Sequence, residues 1–413
     1  MSILDCKVKS TRFKKIYPQI PADYPQPRIL LNEPCLIKSS TCSLIQIQLF
    51  LTPNYLFFHD QFPTQTKIIT KWALIKTFCE EISSISYFGF TIIKSKQSQD
   101  FYFLSSESLE TWLQSLAPYC ILTSFENDFI IIKKIESTIM GRVNLCQDLN
   151  TGQEFAVKVI EKSFIMCSSQ IKHIRNEIKS MRTVDHINCV KFFGVYEDEA
   201  SVMVLMEYVP HGTLLSRLQK LKKFTENDVA RLARNLIDVL LHFNALQIIH
   251  RDLKLDNILM SSCENNYDIK VADFGIASCS AKPQSSICGT PGFIAPEAFK
   301  GEAYNGKFDV FSAGAIFFTL LTGKVPFPGK NTETVLDKNE AVNLKFDKKH
   351  WKNISKTCWN FVQGLLAKDP SSRPSAEEAD LHMFIFNSGR SKGIDANLIM
   401  TESGLLKSEL EVN

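Results

Sequence analysis

Residues 250–257, His250-Arg251-Asp252-Leu253-Lys254-Leu255-Asp256-Asn257, constrain this chain more than any other stretch. They place a carboxylate, an ammonium and an amide within six positions, directly after the apolar pair Ile248-Ile249. Ile258-Leu259-Met260 and Ile269-Lys270-Val271-Ala272 then read as two short strands joined by a turn at Asn265-Asn266, a hairpin. The hairpin delivers Asp273-Phe274-Gly275, so its geometry brings Asp273 back beside Asn257. An acid and an amide placed this way can hold one magnesium ion through hard oxygen ligands. Asp252 is then left free to accept a proton from an attacking hydroxyl. An isolated Asp-Phe-Gly is more often a solvated loop, but the ordered set leaves that reading little room.

Further motifs stand in a fixed order around this stretch. Phe155-Ala156-Val157-Lys158 lies upstream, and Ala295-Pro296-Glu297 lies downstream. With the loop at 250–257 and Asp273-Phe274-Gly275, these resemble the motif series of the eukaryotic protein kinase family over residues 129–386. The resemblance implies an α+β, bilobal protein kinase fold with a β-rich small lobe and a helical large lobe. It implies ATP and Mg²⁺ as cofactors, Asp252, Lys254 and Lys158 as catalytic residues, and Asn257 and Asp273 as the metal ligands. The segment ending Cys288-Gly289-Thr290-Pro291-Gly292 resembles the activation segments of the calcium/calmodulin-dependent and cyclic-nucleotide-dependent branches. There Ser286 stands where relatives carry an activating hydroxyl, with Arg251 as the partner for its phosphate and Thr290 following. By the same resemblance, Glu297, Asp309 and Arg373 are structural. Thr213 and Thr319 are neutral where arginine-directed kinases carry acids, which implies a substrate choice less dependent on upstream arginine.

The small lobe is expected to start near Phe129. Residues 135–143 occupy the place of the glycine-rich phosphate loop, but only the third glycine, Gly141, is present. Glu136 and Thr138 stand at the other two places. A threonine forced to positive φ costs about 1–2 kcal/mol, so an extended path is expected there. Strain or the Glu136 charge would each weaken ATP binding by roughly tenfold. Ala156 and Lys158 lie two apart on a strand and face one side. Glu177 falls on the following helix, where the resemblance implies an ion pair with Lys158. The implied nucleotide site also takes Ile135, Gly141, Val143 and Leu259, and the hinge residues Met206, Glu207 and Val209. In the large lobe, Thr225 to Asp228 reads as a helix start, and Val229, Leu232, Leu236, Val239 and Phe243 repeat at helical spacing as core.

Residues 35–120 read as a separate small β-barrel or sandwich domain closed by a helix. Ile45, Ile47 and Leu49 alternate with Gln46 and Gln48, and Leu109, Trp112, Leu113 and Leu116 fall on one helical face. A strand series ending in a helix with a central tryptophan resembles a pleckstrin-homology domain. Around its first two strands only Lys38 supplies positive charge, so a protein partner or an autoinhibitory contact is expected at least as much as a lipid headgroup. Residues 1–34 read as a basic, proline-rich tail and linker without regular structure. Lys7, Lys9, Arg12, Lys14 and Lys15 there offer a weak contact to an anionic membrane surface. Residues 387–413 read as a short polar tail.

Composition narrows the class further. A formal charge of +3 is too small to argue for nucleic acid, and the longest apolar run, residues 311–321, is too short to span a bilayer. Twelve cysteines lie scattered without a C-x-x-C pair, and no signal peptide precedes them, which points to reduced thiols in the cytoplasm or nucleus rather than disulfides or zinc. The expected function is a serine/threonine protein kinase acting on protein hydroxyls. The alternative is a pseudokinase scaffold, which draws support only from the altered phosphate loop.

Overall fold

The computed structural model describes residues 3–4, 14–16, 29–38, 43–52, 55–61, 64–69, 73–94, 97–279, 287–342, 344 and 354–386. Two compact units divide between Val209 and Pro210. The division falls inside the kinase-like segment, so its β-rich part shares a unit with the N-terminal region.

In the first unit, antiparallel neighbours run from strand Leu31–Lys38 through Leu44–Leu51 and Tyr55–Gln61 to Thr64–Ile69. A second run joins Leu74–Ile82, Ile85–Lys94 and Gln97–Phe103, and Leu36 pairs with Tyr102 to connect the two runs. Alternation on Leu44–Leu51 puts Ile47 and Leu49 inside and Gln46 and Gln48 outside. Helix Ser106–Leu116 starts at Ser105, whose hydroxyl accepts from Ser108 N at 3.2 Å. Its apolar face seats Trp112, which is fully buried against Phe90 and Phe103. The indole N–H donates to Glu33 Oε2 at 3.1 Å, so the large ring carries no orphan donor.

The reading of 1–34 as a tail without regular structure is corrected in two places. Lys14–Ile16 forms a strand against Thr64–Ile69, and the strand beginning at Leu31 includes Pro34. Proline fits because Leu31–Lys38 meets its second neighbour only at Leu36, which leaves the Pro34 side of the strand as an edge. The cations Lys7, Lys9 and Arg12 and the tail 387–413 lie outside the described residues.

The short strand Ile121–Leu122 runs parallel to both Leu74–Ile82 and Phe192–Glu197. It joins the N-terminal strands to the five strands Phe129–Thr138, Gly141–Asp148, Glu154–Glu161, Phe192–Glu197 and Ser201–Glu207 in one sheet. One buried cluster accordingly runs from Leu49, Phe90 and Trp112 to Phe129, Val157 and Leu205. Helix Ser168–Thr183 turns Ile174, Ile178 and Met181 inward. Gln170 Oε1 accepts from Cys167 N at 3.1 Å and closes its first turn.

The second unit is helical. Thr225 caps Glu226–Ala245, and the core positions read from the sequence on that helix are all buried. Helix Lys307–Thr322 is buried on every face from Phe308 to Leu321, as expected of a core helix. No described helix is long and apolar enough to cross a membrane. Among the described residues nine cysteines are free thiols, and burial pushes those of Cys35, Cys120 and Cys146 up to about 12.

Candidate active site

In the first unit, sheet register aligns the nucleotide-site candidates. Lys158 sits opposite Val143 on one neighbouring strand and Val204 on the other, and Ala156 sits opposite Met206. Ala156 and Lys158 therefore share a face beside Val143 and Met206. The Lys158 ammonium makes a direct ion pair with Glu177 Oε1, and both side chains are largely withdrawn from water. Glu207 is tied at its N–H to Lys191 O, at 2.9 Å. Val209 closes the unit.

Residues 135–143, the candidate phosphate loop, belong to a tight hairpin. Thr138 pairs with Gly141 across a two-residue turn, and Glu136 pairs with Val143. The register slips between Lys134 and Glu136, so Ile135 bulges out. Neither Glu136 nor Thr138 has positive φ, which is the extended path expected of them. Strain at these positions is thus absent, and only the Glu136 charge remains of the two expected penalties. Gly141 has a separate reason to be glycine: a Cβ there would sit 2.0 Å from Val159 O.

In the second unit the hairpin forms as expected, with Ile258 opposite Val271 and Met260 opposite Ile269. Asn265 Oδ1 accepts from Asp268 N at 2.8 Å and shapes its turn. Ala272 N donates to Asn257 O at 2.8 Å, which brings the start of Asp273-Phe274-Gly275 against the end of residues 250–257. Asp273 itself takes φ of 61° and accepts from Gly275 N at 3.2 Å. Leu259, on the first strand, bridges to Thr213.

Asp252 is more engaged than the sequence suggests. Its Oδ1 accepts from Thr290 Oγ1 at 2.6 Å, and its Oδ2 meets Lys254 Nζ at 3.1 Å and Asn257 Nδ2 at 3.1 Å. Lys254 Nζ also reaches Thr290 Oγ1 at 3.1 Å, so Asp252, Lys254 and Thr290 close a triangle. These partners come in addition to the sequence reading, which set Asp252 apart from the metal pair as the proton acceptor. Each is a donor, and together they hold the carboxylate in one orientation.

The frame beneath is buried. Asp309 takes backbone N–H bonds from His250 at 2.7 Å and Arg251 at 2.9 Å, and so holds Arg251 at φ of 68°. Burial pushes the Asp309 carboxyl up, with His250 and Arg251 pulling against it. Arg251 Nε donates to Ile276 O at 2.7 Å. The Glu297–Arg373 pair forms as a bidentate contact at 2.7 and 2.9 Å. Thr319 is core, its hydroxyl donated to Ala315 O at 2.7 Å. Ser286 lies outside the described residues.

Three contributors carried no clear signal in the sequence. Asn339 is fully buried on helix Thr332–Ala341; it accepts from Gly292 N at 2.9 Å and donates to Ile294 O at 2.7 Å, pinning the chain after Thr290. His250 and Phe274 belonged to quoted motifs without a role. Their rings lie 5.2 Å apart and Phe274 packs on Phe243, which ties the two motifs to helix Glu226–Ala245.

Comparison with known proteins places these residues in context. The family model described as protein kinase domain matches residues 129–385. A probable serine/threonine-protein kinase 2 of Plasmodium falciparum is 30% identical over 311 residues, covering 74% of this chain and 60% of that protein. Serine/threonine-protein kinase DCLK3 of Mus musculus is 33% identical over 246 residues, 59% of this chain and 31% of its own length. Myosin light chain kinase A of Dictyostelium discoideum is 29% identical over 276 residues, 66% of this chain and 93% of its own. The chain thus spans less than two thirds of the first two relatives.

Proposed function

The chain belongs to the protein kinase domain family, and we propose that it transfers the γ-phosphoryl group of ATP to serine and threonine hydroxyls of proteins. The observation that carries this reading is the buried Lys158–Glu177 ion pair. A lysine so paired is held in position for the α- and β-phosphates. Asp252 would take the proton of the attacking hydroxyl. Lys254, 3.1 Å from that carboxylate, would put positive charge beside the transferred group. Thr290 orients both. The relatives named as serine/threonine kinases favour serine and threonine as acceptors.

The residues present suit magnesium. Asn257 commits its amide nitrogen to Asp252 O at 2.8 Å, and its Oδ1 makes no hydrogen bond among the described residues. That oxygen and the Asp273 carboxylate are hard donors too few to fill an octahedral shell, as befits an ion that shares its shell with substrate phosphates. When bound, the ion supplies positive charge to the phosphate oxygens. Radiolabelled phosphate transfer to a generic protein substrate, with Asp252→Asn as control, tests the function. A signal equal in both chains would sink it.

The altered phosphate loop bears on affinity. A unit charge near a phosphate is worth about 1 kcal/mol across water at close range, roughly fivefold in binding. Glu136→Gly with Thr138→Gly is therefore expected to lower the KM for ATP by roughly that factor, with kcat changed less. An unchanged or raised KM would show that the hairpin works through its own geometry.

For the N-terminal domain we favour a protein contact over a lipid headgroup. Lys38, the one cation the sequence places near its first strands, pairs with Glu80 at 3.0 Å and lies over the Tyr102 ring. Hydrogen bonds to Tyr102 and Glu80 push its pKa up, so the charge is committed internally. Headgroup recognition needs several convergent cations. Full-length protein is expected to bind phosphoinositide vesicles only weakly and to lose that binding in salt. Salt-resistant, headgroup-selective binding abolished by Lys38→Ala would contradict this. The proposed location is the cytoplasm.

A further inference from the structure

Two hydrogen bonds attach the first described residues to the small lobe. The Ile3 N–H donates to Glu197 Oε1 at 2.7 Å, and the Arg175 guanidinium donates to Ile3 O at 2.5 Å. Leu4, next in sequence, is fully buried. Glu197 ends strand Phe192–Glu197, and Arg175 lies on helix Ser168–Thr183, two residues before Glu177. Glu197 is itself buried and holds Lys162 Nζ at 2.9 Å, which makes it a fixed acceptor rather than a swinging surface carboxylate.

A second attachment lies seven residues along the same helix. Arg182 Nη2 donates to the Cys120 carbonyl at 2.6 Å, and its guanidinium lies 5.6 Å from the Phe192 ring centroid. Cys120 immediately precedes Ile121–Leu122, the strand that joins the two parts of the sheet. Arg175 and Arg182 therefore bracket Glu177, and each is held by chain that precedes the segment 129–385 matched by the family model.

We propose that the segment containing Ile3 and Leu4 is an intramolecular docking ligand of the small lobe, and that together with Cys120 it holds Glu177 against Lys158. A helix moves as a rigid element, so fixing it at two points sets the rotation that brings a carboxylate to an ammonium. Main-chain bonds to Ile3 set the register of the segment, and burial of Leu4 supplies the apolar anchor. Arg175, Arg182 and Leu4 are positioning residues, acting through Glu177. The effect on turnover rests on the phosphotransferase reading; the docking does not.

The test uses the full chain. Leu4→Ser and Arg175→Ala are each expected to speed amide hydrogen exchange across residues 168–183. They should also lower kcat/KM for ATP about fivefold or more, the usual scale of coupling between sites. Leu4→Met, which keeps an apolar anchor, should retain wild-type exchange and turnover. A synthetic peptide of residues 1–10, added to the Leu4→Ser chain, should restore both, which general destabilisation would not allow. Wild-type exchange in Leu4→Ser and Arg175→Ala would overturn the docking. Faster exchange with unchanged kcat/KM would overturn the positioning of Glu177. If the wild-type chain transfers no more phosphate than Asp252→Asn, the phosphotransferase reading fails, and the exchange data still decide the docking.

Discussion

Replacing Asp252 by asparagine is expected to lower turnover by about 10²–10⁴-fold with the fold intact. Asparagine keeps an oxygen for Thr290, 2.6 Å away, but it loses the charge that meets Lys254 and the basicity that takes the hydroxyl proton. Lys158→Met should act at least as strongly and by a different route. Methionine matches the length of the lysine stem but carries no charge to the phosphates, and it leaves Glu177 buried without its cation. Loss of a group that acts in the transition state lowers kcat and kcat/KM together, whereas lost ground-state binding would raise KM alone. Steady-state kinetics on both purified variants, with circular dichroism as the check on folding, measures the split. Near-wild-type turnover in either folded variant would refute the assigned role.

The large-lobe machinery was legible because its signals are local. The hairpin between Ile258 and Val271 follows from two short apolar runs and an Asn-Asn turn, and it carries Asp273 back to Asn257. The Lys158–Glu177 pair was legible through the family resemblance, which places Glu177 on the helix after the strand that carries Lys158. What escaped depends on contacts across long sequence separations. Asn339 reads as an ordinary polar helix residue until its amide is found spanning Gly292 and Ile294. The contact of Thr290 with Asp252, 38 residues away, had no signal in the sequence. The first strands were missed for a compositional reason. Proline at 34 argues against a strand, and only the edge position of that strand lets it stay.

Removing the guanidinium at Arg373 should destabilise the second unit by about 3–5 kcal/mol, the cost of leaving a buried charge without its partner. Arg373 is fully buried, and its donors are all directed: two at 2.7 and 2.9 Å to Glu297, and others to the carbonyls of Lys307 at 2.9 Å and Ala367 at 3.1 Å. Its plane lies 5.0 Å from the Phe311 ring centroid. Lysine cannot reproduce that fork, so Arg373→Lys should cost nearly as much as Arg373→Met. Glu297 follows Pro296 at the start of the turn Pro296–Phe299, and Thr290 precedes it by seven residues. Loosening Glu297 therefore slackens the segment that supplies Thr290 to Asp252, and turnover should fall along with stability. The double change Glu297→Leu, Arg373→Met removes both charges and should recover a large share of the stability lost in Arg373→Met. It should not recover turnover, since the anchor of the segment is still gone. Chemical denaturation of the three variants, paired with phosphate-transfer rates, separates the two effects. A loss below about 1 kcal/mol in Arg373→Met would mean that the pair is a passive feature of the core and that the segment is held by other contacts.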